Sequence, residues 1–226
     1  MPKNYKTALW LLLPLSIITI YARANNIDTT KTTERTIFAT LQAEQVSEVV
    51  IRTTLDSLIL NKRTLKQFPA TFVFNKKDGT TVEKLVQLAP RGKSRRKYCH
   101  FPPLKVSFSK EALKASGLRT QHKALKLVTH CLETPTTDAN ILKEFLAYQI
   151  YNELTAYGLT AQLLKIRYED TDNDQVLEHF AILLEDIDEM AERLHGAETQ
   201  QYSLEQKDFP DEVVNTFTLF QYLLGN

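Results

Sequence analysis

The first half of the chain alternates apolar and polar positions, which is the pattern of half-buried β-strands. Five segments rich in β-branched and aromatic residues carry this pattern, at residues 46–53, 70–75, 81–88, 104–108 and 124–129. Lys77, Asp78 and Gly79 separate the second segment from the third. An Asp-Gly step between two such segments is typical of a hairpin turn. The early part of the chain is therefore predicted to be rich in β-structure.

The period of the apolar positions changes in the second half. Between Asp138, a good N-cap residue, and Ala156 the apolar residues recur at helical spacing, and Gly158 follows as a stop signal. Two further strands and two short helices complete the pattern, at residues 162–168, 176–184, 187–194 and 211–224. The order of sheet, helix, hairpin and helices predicts one α+β domain.

Residues 1–24 have the features of a secretory signal peptide. A basic start precedes an apolar run at residues 8–20, and Ala22 and Ala24 suit signal peptidase. The run is shorter than the roughly 20 residues that cross a bilayer, so we expect cleavage after Ala24, with an uncleaved membrane anchor as the alternative. The polar residues 25–36 are then expected to form a flexible mature N-terminus. Either outcome predicts an exported protein, periplasmic or extracellular.

The charge balance changes little when the signal segment is removed. The chain has 28 Lys and Arg residues against 27 Asp and Glu residues, for a net charge of +1. The first 24 residues hold three basic residues and no acidic one, so the mature chain would carry a net charge of about −2. Such a balance argues against nucleic acid as a partner.

The two cysteines, Cys99 and Cys131, favour one disulfide, because an even count in an exported protein is typical of a disulfide framework. His100 and His130 adjoin them, so a Cys₂His₂ metal site is the alternative. Adjacent residues on a strand point to opposite faces, which disfavours chelation of one ion by each Cys-His pair.

Residues 91–97 place five cations and Gly92 between two predicted strands. Guanidinium groups at Arg91, Arg95 and Arg96 can bind phosphate or carboxylate in bidentate fashion, and glycine lets an anion approach the backbone. One interpretation is an oxyanion cradle. A solvated basic loop and a nucleic-acid patch are the alternatives, the second weakened by the few aromatic residues nearby.

Lys126 lies inside an apolar predicted strand, and Glu144 lies on the largely apolar helix that follows. A buried ammonium group and a buried carboxylate each need a partner. We therefore expect Lys126 to face Glu144 and to point toward a phosphate, as strand-lysine and helix-glutamate pairs do in kinases. A purely structural ion pair, or a lysine that extends its ammonium to solvent, is the alternative.

Five motifs occur in order along the chain, at residues 91–96, 99–104, 126–131, 144–148 and 184–191. Together they make residues 37–226 resemble the CotH spore-coat kinase-like family. The resemblance implies a secreted, atypical kinase-like α+β fold. That fold would have an antiparallel, β-rich N-terminal lobe with one long helix, followed by the start of a helical second lobe.

The resemblance also implies a reaction, the transfer of phosphate from ATP, with Mg²⁺, to Ser or Thr of a protein substrate. The candidate nucleotide-binding residues are Lys126, Glu144, Arg91, Arg95, Arg96, Lys105, Glu185 and Asp186. Lys126 would contact the phosphates and Glu144 would hold it in place. The arginine segment would cover the phosphates, and Glu185 and Asp186 would lie near the adenine-binding hinge.

The resemblance ends before the motifs that would complete a kinase. Family members continue beyond residues 220–226 into Asp-containing motifs that supply the catalytic base and a metal carboxylate, both required for phosphoryl transfer. We therefore expect this chain to be inactive as it stands, either as a fragment or as a remnant. The alternative function is a non-catalytic cell-envelope protein that binds anionic partners with its basic loop. The matched segments include Cys99 and Cys131, which strengthens the expected disulfide.

Overall fold

The fold is built on seven β-strands, seen in a computed structural model that describes residues 34–199 and 203–225. The strands are β1 Glu48–Thr53, β2 Phe68–Asn75, β3 Thr81–Pro90, β4 Leu104–Phe108, β5 Ala124–Val128, β6 Ala161–Asp170 and β7 Val176–Leu184. The helices are α1 Ile37–Ala43, α2 Leu55–Leu60, α3 Arg95–Tyr98, α4 Lys110–Lys114, α5 Thr137–Leu154, α6 Ile187–Arg193 and α7 Asp211–Leu224, with a 3₁₀ turn at Gln206–Asp208. The predicted signal peptide and residues 25–33 lie outside the described residues.

The seven strands close into one barrel in the order β1-β2-β3-β4-β5-β7-β6. The β1 strand pairs antiparallel with β2 on one side and parallel with β6 on the other. Ile51 of β1 therefore has a partner on each side, Phe72 in β2 and Tyr168 in β6. Closure pairs both edges of this sheet, so none of its seven strands has a free edge to recruit another chain.

Side chains from alternate strand positions fill the barrel, as the period of two requires. Fully buried examples are Ile51, Phe72, Leu88, Leu104, Val106, Leu127, Leu164, Ile166 and Leu183. Helices α1, α2 and α4 add Phe38, Leu58 and Leu113 to the same core. Thr36, at the end of the segment expected to be flexible, is buried and accepts a hydrogen bond from Ala39 at the start of α1. The folded part therefore begins before residue 37.

The expectation of a kinase-like fold with two lobes is wrong. The predicted late hairpin, β6 and β7, joins the early strands in one sheet, because β6 pairs with β1 and β7 pairs with β5. These pairings close the sheet, whereas a kinase-like N-terminal lobe would leave it open. Helix α7 packs on α5 through Phe220 and Tyr151, whose ring centroids are 4.8 Å apart. The described residues after β7 thus lie against the barrel's helical layer rather than forming a second lobe.

Most of the predicted elements do exist, even though their arrangement was wrong. The hairpin at Gly79 is confirmed, with Asn75 opposite Thr81 and a positive φ of 84° at the glycine. The long predicted helix is α5, shifted by one or two residues at its ends. Helices α1 to α4 were not predicted, and one of them, α3, proves important for the candidate site.

Helix α5 covers the outer face of the barrel over β5, β6 and β7. Ile141 and Phe145 of the helix pack against Val128, Ile182 and Leu184. These strand residues point away from the barrel interior, so the sheet is apolar on both faces here. On the neighbouring outer face, Gln87 of β3 and Lys105 of β4 are exposed, so a polar surface lies beside the apolar one that α5 covers.

A disulfide joins Cys99, directly after α3, to Cys131, shortly after β5, and confirms the predicted pairing. Backbone bonds from His100 and Phe101 to the carbonyl of Cys131 hold the two segments together. Since both sulfurs are in the disulfide, the alternative Cys₂His₂ site does not form. A largely buried disulfide is compatible with an exported protein. Within residues 34–199 and 203–225, no helix has both the length and the hydropathy of a membrane span.

We predict that the Cys99→Ala/Cys131→Ala double variant loses about 3 kcal/mol of unfolding free energy. The disulfide links cysteines that are 32 positions apart, and opening it increases the entropy of the unfolded chain. Urea unfolding of the variant and of oxidised wild type measures the difference. Reduced wild type serves as the control and should match the variant. A loss below about 1 kcal/mol would contradict the prediction.

Candidate functional site

A charged cleft lies where the outer face of β3, β4 and β5 meets α5. We call it the cationic cleft and define it by Arg91, Arg95, Lys105, Lys126, Glu144, Tyr148 and Asp186. Six of these seven residues were predicted from the sequence as nucleotide-binding candidates, and Tyr148 is added by the structure. The strands supply the floor of the cleft, and α3 and α5 supply one wall.

Two lysines lie side by side on the floor. Lys105 in β4 is directly opposite Lys126 in β5, and both side chains point away from the barrel core. Like charges directly opposite on neighbouring strands repel each other. The Lys126 ammonium lies 3.4 Å from the Asp186 carboxylate, which offsets its charge. Lys105 is exposed and has no carboxylate partner among the described residues.

An ion pair connects α3 to α5 at the wall of the cleft. Arg95 Nη2 donates to both carboxylate oxygens of Glu144, at 3.0 Å each. Such a doubly bonded guanidinium is held in a defined orientation, which one ammonium contact would not achieve. The pair therefore fixes α3, a single helical turn, over the surface of α5.

Arg91 is a half-buried cation that forms no ion pair with a carboxylate of the described residues. Its backbone N–H donates to the carbonyl of Pro103 at 2.8 Å, which anchors it where β3 ends. Burial lowers the pKa of its guanidinium; nearby Tyr148 and Asp186 oppose this effect, and Arg95 adds to it. In the described part of the chain no carboxylate lies within ion-pair distance of Arg91. A half-buried guanidinium without an anion is an unfavourable arrangement that a bound anion would relieve.

Tyr148 places its phenol beside this arginine. Burial raises the pKa of the hydroxyl, the negative charge of Glu144 raises it further, and Arg95 and Arg91 lower it. The phenol is therefore protonated at neutral pH and can donate a hydrogen bond. A ligand oxygen bound by Arg91 would find this second donor on α5.

The predicted ion pair between Lys126 and Glu144 is not formed. Lys126 lies opposite Leu184 in β7, and Asp186 follows two residues later on the same side, so the nearest acid comes from the strand and not from the helix. Glu144 is paired with Arg95 on α3 instead. The sequence could not show that Lys126 pairs with Asp186 and Glu144 with Arg95. The first pair depends on the β5–β7 pairing, and the second depends on α3, a helix that was not predicted.

Arg96, also predicted to bind phosphate, points out of the cleft. Its guanidinium donates to the backbone carbonyls of Gly92, Arg63 and Thr64. These bonds fasten the basic segment to the loop after α2. Of the three arginines in the predicted oxyanion cradle, Arg91 and Arg95 therefore lie at the cleft, and Arg96 has a structural role.

Glu185 also lies outside the cleft. Its carboxylate is buried and accepts bonds from Arg193 at 2.9 Å on each oxygen and from the backbone N–H of Thr160 at 3.0 Å. Burial alone would raise the pKa of Glu185, but the hydrogen bonds from Arg193 and Thr160 outweigh it, and the pKa is lowered. This pair ties α6 to the start of β6, which is a structural role.

Two cavities adjoin the wall formed by Arg95 and Glu144. One, of about 410 Å³, lies beside the disulfide and is lined by Thr129, Thr137 and Asn140 as well as by the ion pair. The other, of about 350 Å³, lies between α5 and α7 and is largely apolar. Glu144 lines both cavities, and the one beside the disulfide has more polar groups in its lining than the one between α5 and α7.

A second cluster of ligand-type side chains lies beyond the end of β5. The donor atoms of His130, Glu133 and His179 all lie within 4.8 Å of one another. Burial, with the neighbouring His179, lowers the pKa of His130 to about 4. Sequence analysis missed this cluster, because His179 is on β7 and reaches the other two only through the closure of the barrel. The spacing of His130 and Glu133 by three residues was the one available signal.

No protein-family model, curated protein or solved structure matches this chain. The resemblance to the CotH family therefore rests on the sequence motifs, and the fold it implied is not the one observed. The fold and the cleft define the chain as a closed seven-stranded β-barrel protein with a cationic site on its outer surface.

We predict that Glu185→Gln lowers the unfolding free energy by about 2–3 kcal/mol at pH 7, because it removes a buried charge and leaves Arg193 without its partner. The folded pKa of Glu185 lies below its unfolded value of about 4.3, so its stabilisation is present above that pH and is lost as the pH falls through the folded pKa. Urea unfolding from pH 3 to 7 measures the gap between variant and wild type.

The matched control for this prediction is Glu153→Gln, which neutralises an exposed carboxylate on α5. It should change stability by less than about 0.5 kcal/mol at every pH. If both variants behave alike, or if the gap for Glu185→Gln does not narrow as the pH falls, the paired carboxylate does not stabilise the fold in the way described.

Proposed function

We propose that this chain is an exported binding protein that holds a phosphate-bearing anion in the cationic cleft. The single observation that carries the proposal is Arg91, a half-buried guanidinium that has no carboxylate partner among the described residues and that faces Tyr148 and Asp186. A protein that keeps an uncompensated cation partly out of water bears a cost, and an anionic ligand removes that cost on binding.

The charges in the cleft support an anion as the ligand. Four cations, Arg91, Arg95, Lys105 and Lys126, face two carboxylates, and both carboxylates already have cationic partners. The cleft thus has an excess of two positive charges in a mature chain whose expected net charge is about −2. The electrostatic attraction for an anion is therefore a property of this site and not of the whole protein.

The types of donor favour phosphate. The Arg91 guanidinium offers a planar pair of N–H donors, Lys105 offers an ammonium group on the neighbouring strand, and Tyr148 offers a hydroxyl group from the helix. Donors on three different elements suit a tetrahedral oxyanion, which presents oxygens in several directions. A planar carboxylate would use the arginine alone.

ATP is one source of such phosphates, and the resemblance to the CotH family points to it. The cleft suits the phosphates, but Glu144 and Asp186 are each held by a cation, so the residues present do not offer Mg²⁺ a free carboxylate. We therefore carry forward the binding of phosphate as the proposal. Transfer of phosphate to Ser or Thr of a protein substrate stays a prediction from the resemblance.

We predict that the full chain binds pyrophosphate and that Arg91→Met weakens the affinity at least tenfold. The loss follows from the removal of a charge-assisted hydrogen bond pair. Isothermal titration calorimetry in low salt measures the affinity. The matched control is Arg96→Met, which removes the same charge from the same segment but outside the cleft, and which should stay within twofold of wild type.

Equal losses in the two variants would show that the segment attracts anions only through its overall charge, and the proposal would fail. Failure of the wild-type protein to bind pyrophosphate, inorganic triphosphate or ATP would overturn it as well. Comparison of the ligands distinguishes a nucleotide from free phosphate as the natural ligand. Tighter binding of ATP than of triphosphate indicates that the adenosine is recognised. Equal affinity indicates a site for phosphate alone.

A further inference from the structure

We infer that His130, Glu133 and His179 form a binding site for a divalent transition-metal ion of the zinc class. The site lies beyond the end of β5, apart from the cationic cleft, and the proposed anion binding does not involve it. Two imidazole groups and one carboxylate are the ligand set of many zinc sites with three protein ligands, in which the fourth position is left to water.

The first support for the site is that His130 has no hydrogen-bond partner. The ring is 1% exposed and stacks on Phe101, with ring centroids 4.4 Å apart. Its Nε2 lies 2.8 Å from Glu133 Oε1, but at an angle that makes no hydrogen bond, and its Nδ1 has no partner either. Buried polar groups are usually satisfied, so a fully buried imidazole without a partner indicates a missing ligand.

The second support is the orientation of His179. Its Nδ1 lies 3.1 Å from Asp138 Oδ1, and the same oxygen accepts the backbone N–H of Phe180. A carboxylate accepts hydrogen bonds, so in the tautomer that donates Nδ1–H to Asp138, Nε2 presents its lone pair toward Glu133. Metal-bound histidines typically have this arrangement, in which a carboxylate behind the ring orients the metal-binding nitrogen.

Glu133 joins the two rings. One of its oxygens lies 2.8 Å from His130 Nε2 and the other lies 3.2 Å from His179 Nε2. At such distances an imidazole nitrogen and a carboxylate oxygen need a positive centre between them, which a metal ion among the three donors would supply. Two ligands of a tetrahedral zinc ion are about 3.4 Å apart, so donors within 4.8 Å need to shift by little more than about 1 Å.

The surroundings hold the ligands in place without using their donor atoms. His130 directly precedes Cys131, whose disulfide fixes the loop, and His179 lies in β7 on the same face as the core residue Ala181. The cysteines themselves are bonded to each other and do not compete for the ion. Zinc is favoured over magnesium because imidazole nitrogen is a poor ligand for a hard cation.

The test uses the full chain without an affinity tag, stripped of metal by a chelator that is then removed. We expect one equivalent of Zn²⁺ to bind, Co²⁺ to give the visible absorption bands of a four-coordinate site, and Mg²⁺ to compete with neither. Glu133→Gln and His179→Gln should each weaken Zn²⁺ binding at least tenfold. Zn²⁺ should raise the unfolding temperature of wild type and not that of Glu133→Gln.

The matched control is His122→Gln. His122 Nε2 lies 3.1 Å from a carboxylate oxygen of Glu192, so it makes a similar contact outside the cluster. Its replacement should leave Zn²⁺ affinity unchanged. Asp138→Asn should weaken binding about tenfold without removing a ligand, since it only orients His179.

Three results would overturn the inference. These are no Zn²⁺ binding to the stripped wild type, a loss in His122→Gln as large as that in His179→Gln, and undiminished affinity in Glu133→Gln. Any of them would mean that the three side chains pack together without binding a metal ion. Glu133 is exposed, so its variant should fold even where a change at the buried His130 would not.

Discussion

Closure of the sheet by the parallel pairing of β1 with β6 is the constraint on which the rest of the structure depends. Through it the hairpin of β6 and β7 becomes part of the early sheet, and β7 takes its place beside β5. A closed barrel of this size has room inside only for its own apolar side chains. Charged and polar chemistry is therefore confined to the outer surface and to the ends of the barrel.

Both candidate sites follow from this division. The cationic cleft lies on the outer surface, at the line where the cover of α5 ends and the exposed face of β4 begins. The histidine cluster lies beyond the end of β5, where the chain leaves the barrel but still packs against the core ring of Phe101. Each site uses a side chain from the β5 segment together with a residue on or just after β7, so both depend on the same strand pairing.

The disulfide connects the two sites through the chain. Cys99 closes the short helix α3, which carries Arg95 to the wall of the cleft, and Cys131 follows His130 directly. One covalent bond thus limits the movement of a cleft residue and of a candidate metal ligand. The two sites differ in solvent access, since the lysine on β4 is exposed while His130 is fully buried. A solvated anion suits the first environment, and a metal ion that binds imidazole nitrogen suits the second.

The sequence by itself determined the local structure and the disulfide. Strand positions at 104–108 and 176–184 and the hairpin at Gly79 were predicted correctly, because hydrophobic period and turn residues act over a few neighbours. Sequence also identified Arg91 and Lys126 as residues of interest, since cations beside apolar strands are conspicuous.

Only the tertiary structure decided which strands pair, and with them the fold class and the partners of the charges. Periodicity indicates that a segment is a strand but not which strand lies beside it, so the sequence did not show that the sheet closes into a barrel. For the same reason Lys126 was paired with Glu144 rather than with Asp186, and His179 was not joined to His130. Contacts between residues about 50 positions apart depend on barrel closure, a property of the whole sheet that no single segment encodes.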